Sequence, residues 1–574
     1  MNINPYAQKP HSVLAVLRRP MSYRTAVRRL LGCALGLVLL HSVVALADAP
    51  LGSAYVPLDS WAYAAFDRLA ALGVINNQFV GLRPWTRIQC AQLVLEADEN
   101  LAEADGKNSE AMALYDALNP EFSEEINLLN GGSTRQARVE SVYTRAMGIS
   151  GTPLRDSLNF GQTIANDFGR PFNTGFNNVS GFSAQAVDGR FFASIRGEYQ
   201  HSPAYAGLTP AEQSSIAQLD GTPSAPYSQA IGTINQFDLL DTYVGVRLGI
   251  YDVTFGKQSL WWGPGTTGSM LMSNNIDPVL MLKINQVEPI VLPGFLGHLG
   301  PVRAQVFFGR LSGYQSPPGP YIHGEKILLK PTPNLEVGFS RTTIAFGQGI
   351  PFTFRNLFAT YFSVTDICCV ANPQNFPGKR QGGLDFSYRL PHLRKWLTIY
   401  TDNFSADDID PLVNPSRAMY NPGIYLSQIP RLPKFDFRFE LANTRNREEA
   451  YNSFFYKDGY TNKGFLIGNT VGRHGSTFDL SSTYWLSPRK RMQIGWREQV
   501  VGKEFLLSKG SQNSLRVKAD WLVQKEMELS VLAQHERWAF PFLATGARGD
   551  SVISLQLTVY PKKLWSRAAL RTPD

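Results

Sequence analysis

Nucleophiles, metal ligands and sugar-holding side chains leave different spacings in a sequence, and this one is poor in the first two. Its eight histidines (His11, His41, His201, His298, His323, His392, His474 and His535) form no pair at metal-ligand spacing, and no GxSxG, HExxH or phosphate-binding loop occurs. Gly549-Asp550-Ser551 echoes a lipase fragment, but it directly precedes an alternating run and reads as a turn, not as a nucleophile. No catalytic residue, cofactor or metal is therefore expected. The chemistry on offer is that of sugar recognition, concentrated in "GKQSLWWGPGTTGSMLMSNNIDP", Gly256 to Pro278. Lys257, Gln258, Ser273, Asn274 and Asn275 can hold paired hydroxyls, and Trp261 and Trp262 offer flat faces to the C–H side of a sugar ring. Arg303, Gln305, Arg341, Asp385, Asp436, Arg438 and Glu440 sit on polar positions of alternating runs and are candidate contacts of the same kind. Two other readings stay open: the tryptophans as a girdle at a lipid boundary, and the charges as a ladder that braces a wall.

The elements that must carry these residues begin after an export signal. Arg18, Arg19, Arg24, Arg28 and Arg29 precede an apolar run from Leu30 to Val44 that ends in Ala45-Leu46-Ala47, the pattern of a secretory signal peptide cut after Ala47. Met21 is an alternative start that would give a signal of more usual length. The run is shorter than the roughly 20 residues a spanning helix needs. Loss of residues 1–47 removes six basic and no acidic residues, so the formal charge of +8 falls by six to +2. A nucleic-acid partner thereby loses its electrostatic support. Cys90, Cys368 and Cys369 remain, an odd number with two adjacent, which is no disulfide framework.

Residues 48–132 read as helical. Trp61, Ala65, Phe66, Leu69 and Leu72 recur at helix spacing behind Asp59 or Ser60 as caps, and Thr86-Arg87-Ile88-Gln89 has the spacing of a capping box. Helices are also expected over 109–118 and 121–129. From Arg138 to Tyr560 the period changes to two, as in Phe435, Phe437, Phe439 and Leu441 against Asp436, Arg438 and Glu440. Many runs reach the 9 to 11 residues that cross a bilayer, and Asp188-Gly189 signals a type I′ hairpin between two of them. The fold class expected is all-β: a large transmembrane antiparallel barrel of about 16–18 strands with a small N-terminal helical region. The expected organisation is a signal peptide 1–47, a periplasmic helical region 48–132, an outer-membrane barrel 133–560 and a basic tail 561–574. The Pro- and Gly-rich segments 202–229, 313–321, 366–377 and 407–422 are available to fill so wide a lumen.

Residues 256–278, together with "VLMLKINQVEPI", "HGEKILLKPTPNLEVGFSRT" and "YNSFFYKDGYTNKGFLIGNTVG", resemble in order the Wzi capsule-assembly family. That resemblance implies an 18-stranded outer-membrane barrel with a periplasmic helical bundle, acting as a lectin that holds capsular polysaccharide or exopolysaccharide at the cell surface. Met270, Met272 and Ile276 depart from the family motif, and the chain continues past the aromatic Tyr560 that closes its last alternating strand. Residues 56–94 also resemble a single S-layer-homology unit, which implies a periplasmic or cell-wall contact. The expected partners are thus polysaccharide and outer-membrane lipid. The alternatives are a porin or sugar-selective channel, and a hydrolase built on Ser551.

Overall fold

The computed structural model describes residues 51–561 and 564–566, apart from 104–107, 221–228, 363–376, 407–414, 446–449 and 507. The expected signal peptide, Cys368 and Cys369 lie outside the described residues. Four helices come first: α1 (Ala62–Ala71), α2 (Arg87–Glu103), α3 (Ser109–Glu121) and α4 (Ser123–Leu129). Their termini follow local chemistry. The Ser60 hydroxyl accepts the Ala62 N–H, Gly73 leaves α1 at φ +85°, and Thr86 and Gln89 exchange side-chain and backbone bonds at 3.0 and 3.2 Å in a capping box. Phe66, Leu69, Trp85, Leu93, Val94, Leu114, Leu118 and Phe122 are buried together, which gives these helices a core of their own.

The wall consists of β1 (Arg135–Gly151), β2 (Gly175–Asp188), β3 (Phe191–Ser202), β4 (Ile234–Leu239, continued by Thr242–Leu248), β5 (Tyr251–Gln258) and β6 (Val279–Gln286, extended by Ile290–Val291). It continues through β7 (Pro301–Arg310), β8 (Tyr321–Thr332), β9 (Leu335–Ala345), β10 (Lys379–Arg389), β11 (Thr398–Ser405) and β12 (Met419–Leu426). The last six are β13 (Phe435–Asn443), β14 (Gly475–Ser487), β15 (Lys490–Val501), β16 (Gly510–Gln524), β17 (Met527–Ala539) and β18 (Arg548–Val559). Each strand pairs antiparallel with its neighbours, and β1 pairs with both β2 and β18, so the 18-stranded barrel is closed. Closure leaves no strand edge to template association with another chain. Leu564–Ser566 adds a short pairing to the start of β1.

Alternation sets the two faces. Val244, Phe255, Leu282 and Ile553 point outward and are exposed, whereas Arg247, Thr254, Lys283 and Ser554 point inward and are buried. This is the arrangement of a wall with lipid outside and a polar interior. One end has short turns. In the first of them Gly189 has φ +59° and Arg190 does not have positive φ, the pattern of a II′ hairpin and not the I′ expected. The helices sit at this end: Arg394 donates to the Ala70 and Ile75 carbonyls, and Arg68 to the Ser427 and Pro433 carbonyls.

The other end carries the long connections. The lumen is filled mainly by 259–278 and 444–474, with 152–174 against them, rather than by the Pro- and Gly-rich segments expected. Segment 444–474 contains a two-residue ribbon, Thr461–Asn462 against Phe465–Leu466. The reason is apolar content. Trp262, Met270, Leu271, Tyr451, Tyr456 and Ile467 are all under 2% exposed, and burying such side chains contributes roughly 1.5–3 kcal/mol each. Of the expected fillers, 313–320 touches this core through Tyr314, and α5 (Pro210–Asp220) packs Ile216 beside Trp538 and Phe540. All of 366–377 but its last residue, and the first half of 407–422, fall outside the described residues. Gly549-Asp550-Ser551 is not a turn: it lies within β18, where Ser551 pairs with His535 of β17.

Candidate functional site

Segment 259–278 leaves the wall after β5 and is pinned inside the barrel at several points. The Trp262 indole N–H donates to Gln305 Oε1 at 2.9 Å, and its ring meets the edge of Phe307. A glycine at 324 on β8 makes room for it, since a Cβ there would lie 2.9 Å from Trp262 and 2.5 Å from Phe307. Gly263 has φ +156°, and a Cβ on it would lie 2.6 Å from Asp402, whose carboxylate accepts the Met270 N–H at 2.7 Å. Glu440 accepts the Thr266 and Thr267 N–H groups at 2.8 and 3.0 Å, both hydroxyls, and the Tyr400 hydroxyl. A carboxylate with donors of this number is a strong clamp.

The other candidates divide by what they touch. Lys257 bridges Asp238 of the wall and Asp277 of the plug, and Lys463 bridges the same two carboxylates. Gln258 accepts the Thr254 hydroxyl. Ser273 donates to the Ile467 and Gly468 carbonyls, and Asn275 binds Asn166 N–H, Gln162 and the Leu466 carbonyl. Arg303 donates to the Gln286 carbonyl and lies over the Phe79 ring, while Asp385 pairs with Lys326 at 2.6 Å. Trp261, Asn274, Asp436 and Arg438 border open space. Both tryptophans lie inside, with exposures of 7% and 1%, and neither belongs to the lipid-facing row. Arg341 departs from its expected position in the lumen. It pairs with Glu325 on the outward-pointing register of β8 and β9 and donates to the Thr360 and Tyr361 carbonyls of a segment outside the wall. Period two gives the alternation, but here it placed a charge on the lipid side because another element covers it.

The open space is a chamber between the helices and the plug. One lobe of about 360 Å³ adjoins another of about 300 Å³, and both border Asp59, Ser60, Asn166, Arg491, Lys518 and Asp520. These are sizes ordinary for a ligand pocket. In the larger lobe Arg83, Arg438, Arg491 and Lys518 face Asp59, Asp67, Asp436 and Asp520, so charge is balanced. Ion pairs hold the carboxylates: Arg83–Asp67 at 3.2 Å, Arg491–Asp520 at 3.0 Å and Arg196–Asp59 at 2.8 Å. Asp436 instead accepts the Trp485 indole N–H at 2.7 Å. Arg438 lies 3.7 Å above the Tyr425 ring. In the smaller lobe Asp167 accepts from Arg145 and Arg170. Burial pushes its carboxyl up, but these two guanidinium groups outweigh burial and hold it below the ordinary range.

Asn166 Oδ1 and Asn274 Oδ1, both bordering the larger lobe, have no hydrogen-bond partner among the described residues. With Trp61, Tyr63 and Trp261 nearby, the chamber presents forked donors, carboxylates and aromatic faces without a dominant charge. That is a surface matched to hydroxyl-rich, weakly charged ligands. Sequence reasoning missed Asp59, Tyr63, Asp67, Arg83, Arg491, Lys518 and Asp520. Arg491, Lys518 and Asp520 occupy the inward positions of β15 and β16 and were open to the same alternation argument. The helical residues had no such signal, because they meet the wall only through tertiary packing.

Comparison with known proteins gives four matches. A family profile described as capsule assembly protein Wzi matches residues 144–551. An uncharacterized 55.8 kDa protein of the cps region of Klebsiella pneumoniae is 25% identical over 199 residues, 34% of this chain and 38% of that protein's length. Among solved structures the chain is similar to Wzi of Escherichia coli, described as an outer membrane protein involved in group 1 capsule assembly and a carbohydrate-binding β-barrel. That match has 17% identity and a TM-score of 0.63, and it covers 89% of this chain and 100% of the other. The likeness to Pseudomonas aeruginosa OccK5 (OpdH) is looser, at 9% identity and a TM-score of 0.40, over 74% of this chain and 98% of that one.

Proposed function

Because this chain belongs to the capsule assembly protein Wzi family, we propose that it is a non-enzymatic outer-membrane lectin that binds capsular polysaccharide or exopolysaccharide and retains it at the cell surface. The observation that carries the reading is the charge-balanced chamber, in which arginines, a lysine and aspartates sit beside the aromatic faces of Tyr63 and Trp261. Trp261, Asn274, Asp436 and Arg438 are its contacts from among the sequence candidates, joined by Asn166, Arg491 and Lys518. Lys257, Trp262, Glu440 and their partners act one step back, by holding the plug that forms the chamber's ceiling. Short turns face the periplasm and long loops the exterior in barrels of this class, so the helices are assigned to the periplasm and the chamber to the periplasmic side of the plug, where it would grip the glycan from below. The stretch 56–94, with its S-layer-like order, is their proposed contact with other envelope components.

The test is direct binding of the producer's own polysaccharide, and of oligosaccharides cut from it, to purified protein. Lys518→Ala combined with Asn274→Ala should weaken oligosaccharide binding about tenfold, on the order of 1.4 kcal/mol, with an unchanged melting temperature. No binding by the unaltered protein, or unchanged affinity in the variant, would count against the chamber as the site. Deletion of the gene should release polysaccharide into the medium without stopping its synthesis.

A further inference from the structure

Helix α6 (Phe354–Phe362) belongs to the connection between β9 and β10 and lies outside the barrel. The register fixes this position. Trp262 reaches the inward face of β8 at Gly324, and Lys326 pairs with inward Asp385, so His323 and Glu325 point the other way. Thr343 and Arg341 are their partners on β9. All four would face acyl chains on a bare wall, yet His323, Glu325 and Thr343 are buried and Arg341 is partly so. The helix covers them. Thr360 Oγ1 bonds His323 Nε2 at 3.0 Å, the Tyr361 ring stacks on His323 at 4.4 Å, and Arg341 donates to the Thr360 and Tyr361 carbonyls. His323 Nδ1 in turn meets Glu325 at 2.8 Å.

The far side of this helix is apolar. Phe354, Phe358 and Phe362, at i, i+4 and i+8, are 82%, 55% and 39% exposed, and Phe352 just before them is 58% exposed. Polar Asn356 and Thr360 occupy the wall side. A helix facing water reverses this distribution. Phe352 packs on Phe308 and Tyr321, which share the outward register of His323, at ring distances of 5.7 and 6.1 Å; the phenylalanine row thus continues the outer face of the wall at the long-loop end, and that continuity identifies its occupant. We propose that α6 is a membrane-embedded bracket: its phenylalanines enter the acyl region of the outer leaflet, and its polar side seals the buried His323–Glu325–Arg341 cluster from lipid. A lipid-facing charge is destabilising in a depth-dependent way, and the bracket covers the charged cluster that the outer face of the wall carries here. This inference rests on the wall lying in a membrane, and the experiment tests the two separately.

Nitroxide labels are placed on single cysteines in the full chain carrying Cys33→Ser, Cys368→Ser and Cys369→Ser, reconstituted in palmitoyl-oleoyl phosphatidylcholine vesicles. Cys90 is fully buried and stays. The positions are Phe354→Cys and Phe358→Cys on the helix, Phe255→Cys on the wall, and Phe454→Cys on the plug, where Phe454 is 88% exposed. Collision rates with oxygen, which partitions into lipid, are compared with those of a water-soluble nickel chelate. Helix labels should match the Phe255 label and exceed the Phe454 label several-fold in the oxygen-to-nickel ratio. Helix labels that match Phe454, or are shielded from both reagents as under a protein partner or a second copy, overturn the bracket while Phe255 still reads lipid. A water-like signal at Phe255 overturns the bracket together with the membrane placement of the wall. Heat-dependent gel migration of each variant verifies a folded barrel before labelling.

Discussion

Glu440 shows how much one side chain can be asked to hold. Its carboxylate receives two backbone N–H groups and three hydroxyls from Thr266, Thr267 and Tyr400, and it is 1% exposed. Replacement by Ala removes the acceptor these donors share, and a hydrogen bond to a charged group contributes about 1.5–3 kcal/mol. Glu440→Ala should therefore destabilise the plug by on the order of 3 kcal/mol, read as faster amide exchange at Thr266 and Thr267 with the wall strands unaffected. Unchanged exchange at those two amides would show that the clamp is redundant. The sequence marked Glu440 as a polar, inward residue and went no further, because its five donors lie more than 35 residues away in the chain. Arg341 is the opposite case. Its alternation was legible, but the helix that turns its side of the wall into an interior was not.

Among the elements, the helical region is legible in most detail, since its caps are local. The Thr86–Gln89 box and the Gly73 stop need only neighbouring residues. What binds the helices together is less local: Arg87 reaches Glu125 at 2.7 Å and Glu121 at 3.2 Å. Burial pushes the Glu125 carboxyl up, yet the Arg87 and Arg138 guanidinium groups outweigh it and hold the group below its ordinary value. A depressed carboxyl stabilises the folded state fully above its unfolded pKa, near 4.3, and this contribution is lost as pH falls through the folded value. Amide exchange in α2 and α4, taken relative to the intrinsic rate at each pH, should thus accelerate in acid below about pH 4. In Glu125→Gln it should be faster already at neutral pH and lose that acid dependence. A variant that keeps the full dependence would assign it to another carboxylate.

On the scale of the whole molecule, the filled lumen separates this barrel from an open channel. Two long connections from one end supply an apolar core inside a wall whose inner positions are polar, and four charges, Lys257, Lys463, Asp238 and Asp277, staple that core to the wall. Planar-bilayer recordings of purified protein should show little or no steady conductance. Large, permanently open steps would revive the porin reading.

The barrel, the helical region before it and the inner and outer faces of most strands are legible in the sequence. These follow from periodicity, capping residues and turn chemistry, which act over a few residues. Only the tertiary structure decided that the plug is built chiefly from 259–278 and 444–474, that the chamber lies between it and α1, and that Arg341 faces outward under α6. Those outcomes depend on which distant apolar surfaces and buried charges find one another, and that free energy belongs to pairs of segments, not to either one alone.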